Sequence, residues 1–354
     1  MMFTNEQISR CHGLLIAVCI GLAACVGPTS KTVDFVAVVP DEDEIGGSNG
    51  LVCEIASKRD AFQNSLTQLV GRGLARAENE FIVTTQIVAE SSKDEASLQV
   101  KNLVDAGCGI IIFDGSTFLQ VASDAAIANP GTQFAIVDAS TNLPNLYGLV
   151  FAADQAAFLA GYVAASESKT GIVATFGANK DFYITSSMTG FVRGVEYFNV
   201  RNGGEVRALG WNVIEQDGDF VVKDDSVSGA NMAKQFINDG ADVIFPVSAM
   251  SVFGVLSVAI ESAGRLKVIG FAVDLSIANP SSKGVYLGTV RKRFDNAVFE
   301  AVHLMLDKMI GGVNYVGTLE NDGVGFEASF IMSQKFEAEI EVLKLAIVEG
   351  SVTW

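Results

Sequence analysis

From residue 33 onward, short continuous apolar runs alternate with segments whose apolar residues recur at helical spacing. Residues 33–39, 81–88, 109–113 and 133–138 read as strands, and residues 117–128 as a helix between the last two. Runs this apolar, bounded by Gly, Asp and Asn, belong to parallel strands covered on both faces. A second series follows. Residues 171–176 read as a strand, 187–199 as a helix, 206–213 as a strand, 231–238 as a helix, 242–245 as a strand, 252–263 as a helix and 267–273 as a strand.

Two such series predict an α/β protein with two doubly wound parallel-sheet lobes. The chain crosses between them at residues 141–151. The end adds a strand at 285–290, a long helix at 294–309 and a strand at 323–330. These are too few elements for a third domain, and they suit a return into the first lobe and a last pass into the second. Several crossings make a hinge, and the cleft between the lobes is the expected binding site. The predicted division is 1–24 as a removable leader, 25–32 as a tether, 33–145 with 278–312 as the first lobe, and 146–277 with 313–354 as the second.

The leader rests on Leu22-Ala23-Ala24-Cys25, directly after the apolar run 13–22. That run is shorter than the roughly 20 apolar residues a bilayer span needs, and small residues before a cysteine mark a lipoprotein signal. Arg10 is the only Lys or Arg before the run, with Glu6 against it. Cleavage before Cys25 leaves that cysteine as a lipid-carrying N-terminus. The expected location is the outer face of a cell membrane, held by lipid.

The formal net charge of −17 argues against nucleic acid, whose phosphates reward clustered Lys and Arg. The mean hydropathy of +0.35 is high, yet no later segment has the length of a membrane span. Outside the leader the only histidine is His303, within a predicted helix, where packing or surface exposure is expected. There is no Gly-x-Ser-x-Gly, His-Glu-x-x-His, Walker A or Cys-x-x-Cys pattern. The reading is therefore a protein that is not an enzyme, with no catalytic residue, metal or cofactor. Cys53 and Cys108 remain beyond Cys25 and can pair in an exported protein, although two thiols make no framework. The glycine-rich stretch 45–50 follows Asp41-Glu42-Asp43-Glu44, which would repel phosphate, so it reads as a lip of the cleft.

Several segments, in order, resemble the basic membrane protein (Bmp) lipoprotein family of purine-nucleoside receptor-like substrate-binding proteins of ABC importers. They are Phe134-Ala-Ile-Val-Asp138, Phe158-Leu-Ala-Gly-Tyr-Val-Ala-Ala165, Ser168-Lys-Thr-Gly-Ile-Val173 and Gly190-Phe-Val-Arg-Gly-Val195. Gly240-Ala-Asp-Val-Ile-Phe245, Val268-Ile-Gly-Phe-Ala-Val-Asp274 and Val290-Arg-Lys-Arg-Phe-Asp295 complete the set. The resemblance implies a type I periplasmic-binding-protein fold. It also implies a nucleoside between the lobes, its base stacked on aromatics and its ribose held by a carboxylate and a lysine. The family's early Asp-Lys-Ser-Phe-Asn-Gln motif is matched by Asp60-Ala61-Phe62-Gln63-Asn64-Ser65, with the Phe kept and the amides exchanged. This segment lies farther from the first predicted strand than in the family. The family's small glycine-rich loop after Phe245 is here the bulkier Pro246-Val-Ser-Ala-Met-Ser-Val-Phe-Gly254.

These matches nominate ligand-binding residues. Phe62 is the first choice for base stacking, with Phe182 or Phe253 closing from the second lobe. Asn64 is the candidate amide, with Gln63 as its alternative. Asp274, just past a strand's carboxyl end, suits a ribose diol. Lys292 takes the place of the family's lysine and is expected to pair with Asp274. Asp138 ends a strand on the cleft side and suits donor groups on the base, as does Asp41 at the end of the first strand. The expected partners are a nucleoside or similar small polar ligand, an ABC permease and the membrane through the lipid, with the protein monomeric and no nucleic acid bound. A sugar receptor, a nucleoside hydrolase-like enzyme and a surface sensor without a transporter are the alternatives.

Overall fold

A computed structural model describes residues 50–57, 61–90, 93–273, 282, 284–307, 312–330 and 332–354. The run at 33–39, the Gly-rich stretch 45–49, Asp41 and the leader with Cys25 lie outside the described residues. The first described strand is β1 (Leu51–Ser57), which the apolar pattern alone does not reveal because Glu54 sits at its centre. It is followed by α1 (Ala61–Glu80), β2 (Thr84–Glu90), α2 (Lys93–Asp105), β3 (Ile110–Phe113), α3 (Leu119–Ala128), β4 (Gln133–Val137) and β5 (Leu146–Phe151). Residues 61–65 of the motif segment stand in the first turns of α1, and the first described strand before them is β1; the predicted strand 33–39, from which their separation is long, lies outside the described residues.

The second series runs α4 (Ala153–Glu167), β6 (Ile172–Gly177), α5 (Phe182–Asn202), β7 (Arg207–Leu209), β8 (Trp211–Asn212) and β9 (Asp217–Gly218). It continues with α6 (Ser226–Asn238), β10 (Val243–Val247), α7 (Ser251–Glu261), β11 (Lys267–Ala272) and β12 (Tyr286–Lys292). The chain closes with α8 (Phe294–Leu306), β13 (Tyr315–Gly317), β14 (Val324–Ala328) and α9 (Gln334–Val348). The predicted strand at 206–213 is broken at Gly210, whose φ of +85° is left-handed and turns the chain from β7 into the β8–β9 hairpin.

One sheet has the order β2-β1-β3-β4-β5-β13 and is parallel throughout. The other has the order β7-β6-β10-β11-β12-β14, parallel except for the last strand. Within each lobe the first five strands lie in the local order 2-1-3-4-5, so the connections reverse direction between local strands 1 and 3. Three segments change lobes relative to the predicted division, one of them β13, which pairs with β5 in the first sheet. β5 belongs to the first sheet, where Phe134 to Val137 pair with Leu146 to Leu149. β12 belongs to the second, beside β11. The lobe boundaries therefore fall after residue 151 and after residue 292, each at the end of its sheet's fifth strand.

The chain passes between lobes three times, and the passes are tied to one another. Ala152 donates its N–H to the Gly317 carbonyl (2.8 Å) and Arg293 to that of Gly323 (2.9 Å). The Gln155 side chain accepts from the Leu319 N–H (2.8 Å). Phe151 packs edge-on against Phe294 and Tyr315, with ring centroids 5.0 and 6.2 Å apart. These contacts make the hinge one bonded layer rather than three separate linkers.

Two of the family-like segments serve packing. Gly161 on α4 and Gly194 on α5 face the opposite helix so closely that a Cβ would lie 1.9 Å from the Phe191 carbonyl oxygen and 2.0 Å from that of Phe158. Only glycine allows this approach. The central strand β1 is further fixed by a Cys53–Cys108 disulfide, whose sulfurs are both buried and which joins residues 55 apart. Replacing both cysteines by serine, or reducing the bond, is expected to lower the unfolding free energy by about 2–4 kcal/mol through a freer unfolded chain. Urea denaturation with and without dithiothreitol measures this, and superimposable curves contradict it.

Candidate functional site

Because the strands of each sheet run parallel, their carboxyl ends share one edge, and helix starts and loops gather there. The two edges face each other. The Lys292 Nζ at the end of β12 donates to both carboxylate oxygens of Asp138 at the end of β4, at 2.7 and 2.9 Å. The Lys292 side chain is only 5 % exposed, whereas that of Asp138 is 36 % exposed. The ammonium also lies 5.1 Å from the Phe271 ring centroid on the second lobe and 5.9 Å from that of Phe151 on the first. An ammonium over aromatic faces is attracted by their quadrupoles. Lys292 was expected to pair with Asp274, which lies outside the described residues; its described partner is Asp138.

Two residues on these edges hold left-handed backbone. Asp138 and Ala272, at the ends of β4 and β11, hold φ of +61° and +66°. An alanine in the left-handed region costs free energy, and such residues cluster where a site is shaped. The Asp138 N–H donates to the Leu149 carbonyl (2.8 Å), which holds its turn.

Asp114, at the end of β3, was not singled out by sequence. Its carboxylate accepts from the Ser57 N–H (2.7 Å) at the end of β1 and from the Thr67 hydroxyl (2.8 Å) on α1. It pins both flanks of the segment that carries Phe62. A usable signal was present, since Phe113-Asp114 ends an apolar run just as Val137-Asp138 does. Phe62 and Asn64 stand in the first turn of α1, and their side chains lie outside the described residues.

On the second lobe Phe182 opens α5, 74 % exposed, with its ring against Tyr183 at 5.5 Å. Phe253, in the first turn of α7, is half-buried against the main core. The two bases beside Lys292 are held by carboxylates: Arg291 pairs with Glu327, and Arg293 with Asp295 (3.1 Å) and Asp322 (2.8 Å). The Asp295 and Asp322 carboxylates hold the Arg293 guanidinium above its usual pKa. His303 lies on the far helix α8, half-exposed and stacked on Phe81 at 5.2 Å. Among the described residues no cluster of His, Cys, Asp and Glu is arranged to hold a metal ion. No helix among them is long and apolar enough to cross a membrane.

The family model for Bmp, the PnrA-like ABC transporter substrate-binding proteins, matches residues 63–353. The chain belongs to this family. Basic membrane protein A of Borreliella burgdorferi is 27 % identical over 289 residues, covering 79 % of this chain and 80 % of that protein. An uncharacterised lipoprotein of Pyrococcus horikoshii is 24 % identical over 285 residues, 78 % of this chain and 67 % of that one. In fold the chain is similar to an ABC transporter solute-binding protein of Aeropyrum pernix, with a TM-score of 0.65 at 18 % identity over 86 % of this chain and 92 % of that one. A solute-binding protein from Conexibacter woesei gives 0.67 at 15 % identity over 86 % and 98 %. The two-lobed architecture is thus that of periplasmic-binding-protein-like solute receptors, and the Bmp family is one of substrate-binding proteins.

The Asp138–Lys292 pair has a measurable consequence. Asn at position 138 leaves the buried ammonium short of a counter-charge. Such a loss costs about 3–5 kcal/mol when both partners are buried, and water at the exposed Asp138 lowers this to about 1–3 kcal/mol. Asp138→Asn, Lys292→Met and the double variant are expected to show a coupling of about 1–2 kcal/mol by chemical denaturation. Strictly additive losses contradict the pairing.

Proposed function

We propose that this Bmp-family protein is a lipid-anchored receptor that closes its two lobes on a nucleoside, a purine by preference, and delivers it to an ABC permease. The observation that carries the reading is the charged pair Asp138–Lys292 between facing strand ends, flanked by the Phe151 and Phe271 rings. A carboxylate and an ammonium suit a ligand rich in hydroxyl and ring N–H groups. Phe62 is the base-stacking residue, with Asn64 beside it, and Phe182 or Phe253 approaches from the second lobe. Asp274 and Lys292 hold the ribose, Asp138 reads the base, and Asp41 adds a carboxylate. The protein works as a monomer, without catalysis.

Titration calorimetry with adenosine, guanosine, inosine and uridine tests the ligand. At least one purine nucleoside is expected to bind at micromolar concentration or below. No heat with any of the four removes the nucleoside, and binding of a free pentose or hexose instead assigns a sugar. Lipidation at Cys25 agrees with the lipoprotein names of two relatives. Cys25→Ser is expected to move the protein from the membrane to the soluble fraction. Unchanged partitioning contradicts the anchor.

A further inference from the structure

Strand alternation turns Arg291 away from the cleft that Lys292 faces, and on its side of the second sheet lies a cavity of about 170 Å³. The β12–β14 strand pair and α9 enclose it, and Arg293, Leu319 and Asp322 bring two of the crossings to its wall. Leu159, Leu319 and Ile340 line it and are buried, so much of the wall is apolar. Two polar groups in that wall lack partners. Arg291 gives a terminal N–H to Glu327, yet its Nε is buried with no hydrogen-bond partner among the described residues. A buried donor left unbonded costs free energy. The Lys344 ammonium, on α9, makes no hydrogen bond or ion pair among the described residues. The nearby carboxylates do not answer these two groups: Glu327 and Asp322 are engaged by Arg291 and Arg293, and Glu341 is exposed.

A glycine keeps the cavity open. Gly325 stands directly opposite Arg291 in the β12–β14 pairing. Its φ is not left-handed, and a Cβ there would meet nothing within 4 Å. Neither conformation nor packing calls for glycine at this point, and a glycine inside a strand marks a place where something else approaches closely.

We propose that this cavity is a second binding site, which holds a small aliphatic carboxylate with its charged end on Arg291 and Lys344 and its tail against Leu159, Leu319 and Ile340. The volume equals that of about five or six water molecules, room for an acid of about six non-hydrogen atoms. An inorganic anion leaves the apolar wall uncovered, and an alcohol leaves the ammonium without a counter-charge. The site is separate from the cleft and stands whether or not the cleft takes a nucleoside.

Titration calorimetry at fixed ionic strength with sodium butyrate, sodium acetate, butyramide and inorganic phosphate tests the proposal. Butyrate is expected to bind saturably at millimolar concentration. Acetate should bind about tenfold more weakly, through the loss of two buried methylenes. Butyramide should bind about tenfold more weakly through the loss of its charge, and phosphate should give no saturable heat. Gly325→Val fills the cavity with a residue that suits a strand, and Lys344→Met removes the ammonium while keeping a good helix former. Each is expected to weaken butyrate by about tenfold or more. If Gly325→Val does not accumulate, Lys344→Met decides. No saturable binding of butyrate, equal binding of butyramide, phosphate binding tighter than butyrate, or butyrate affinity unchanged in either variant overturns the proposal.

Discussion

The Lys292 ammonium is placed where water barely reaches, and a charge in such a position must find a counter-charge. It finds one on the opposite lobe. That requirement sets which ends of the two sheets face each other, because only the carboxyl ends of β4 and β12 can bring the pair together. It also fits the end of β12 at Lys292: the cation stands at a strand's end, and the next residue, Arg293, is already in the crossing. Parallel strands then bring every other loop of consequence to the same edge. The cleft chemistry follows from strand direction more than from any single motif.

The hinge has to accommodate this pairing while letting the lobes move. Its three strands of chain are hydrogen-bonded to one another and share the Phe151, Phe294 and Tyr315 rings. A bonded layer of this kind resists shear and permits rotation about itself. Arg293 reinforces it from outside, since its guanidinium reaches Asp295 on α8 and Asp322 on the return crossing.

Much of the architecture was legible in the sequence because parallel strands buried on both faces must be apolar throughout. Phe134-Ala-Ile-Val and Val268-Ile-Gly-Phe could be little else. What escaped did so for identifiable reasons. Glu54, fully buried at the centre of β1, interrupts the apolar run, and the strand is passed over. Leu146 to Phe151 looks like a connection because it lies between the two series, yet it completes the first sheet. Lys292 stands between two arginines, a pattern of solvated surface. Strand alternation nevertheless turns its side chain opposite to theirs, into the cleft. The aspartates at 114 and 224 act through contacts distant in sequence, which spacing alone does not reveal.

The glycines of the helix pair α4–α5 separate two kinds of constraint within the resemblance to the Bmp family. Gly161 and Gly194 let backbones touch, so they maintain the second lobe whatever it binds. The segment after Phe245 is packed as closely at its end, where a Cβ on Gly254 would lie 1.8 Å from the Ser226 carbonyl oxygen of α6, and it adds polar contacts of its own. Where a small glycine-rich loop would present bare backbone to a ligand, this chain has Ser248 and Ser251 and bonds both to Asp224. The replacement is coherent as a unit: the bulkier loop needs an internal acceptor for its buried hydroxyls, and Asp224 supplies it. A loop satisfied from within holds its shape without ligand.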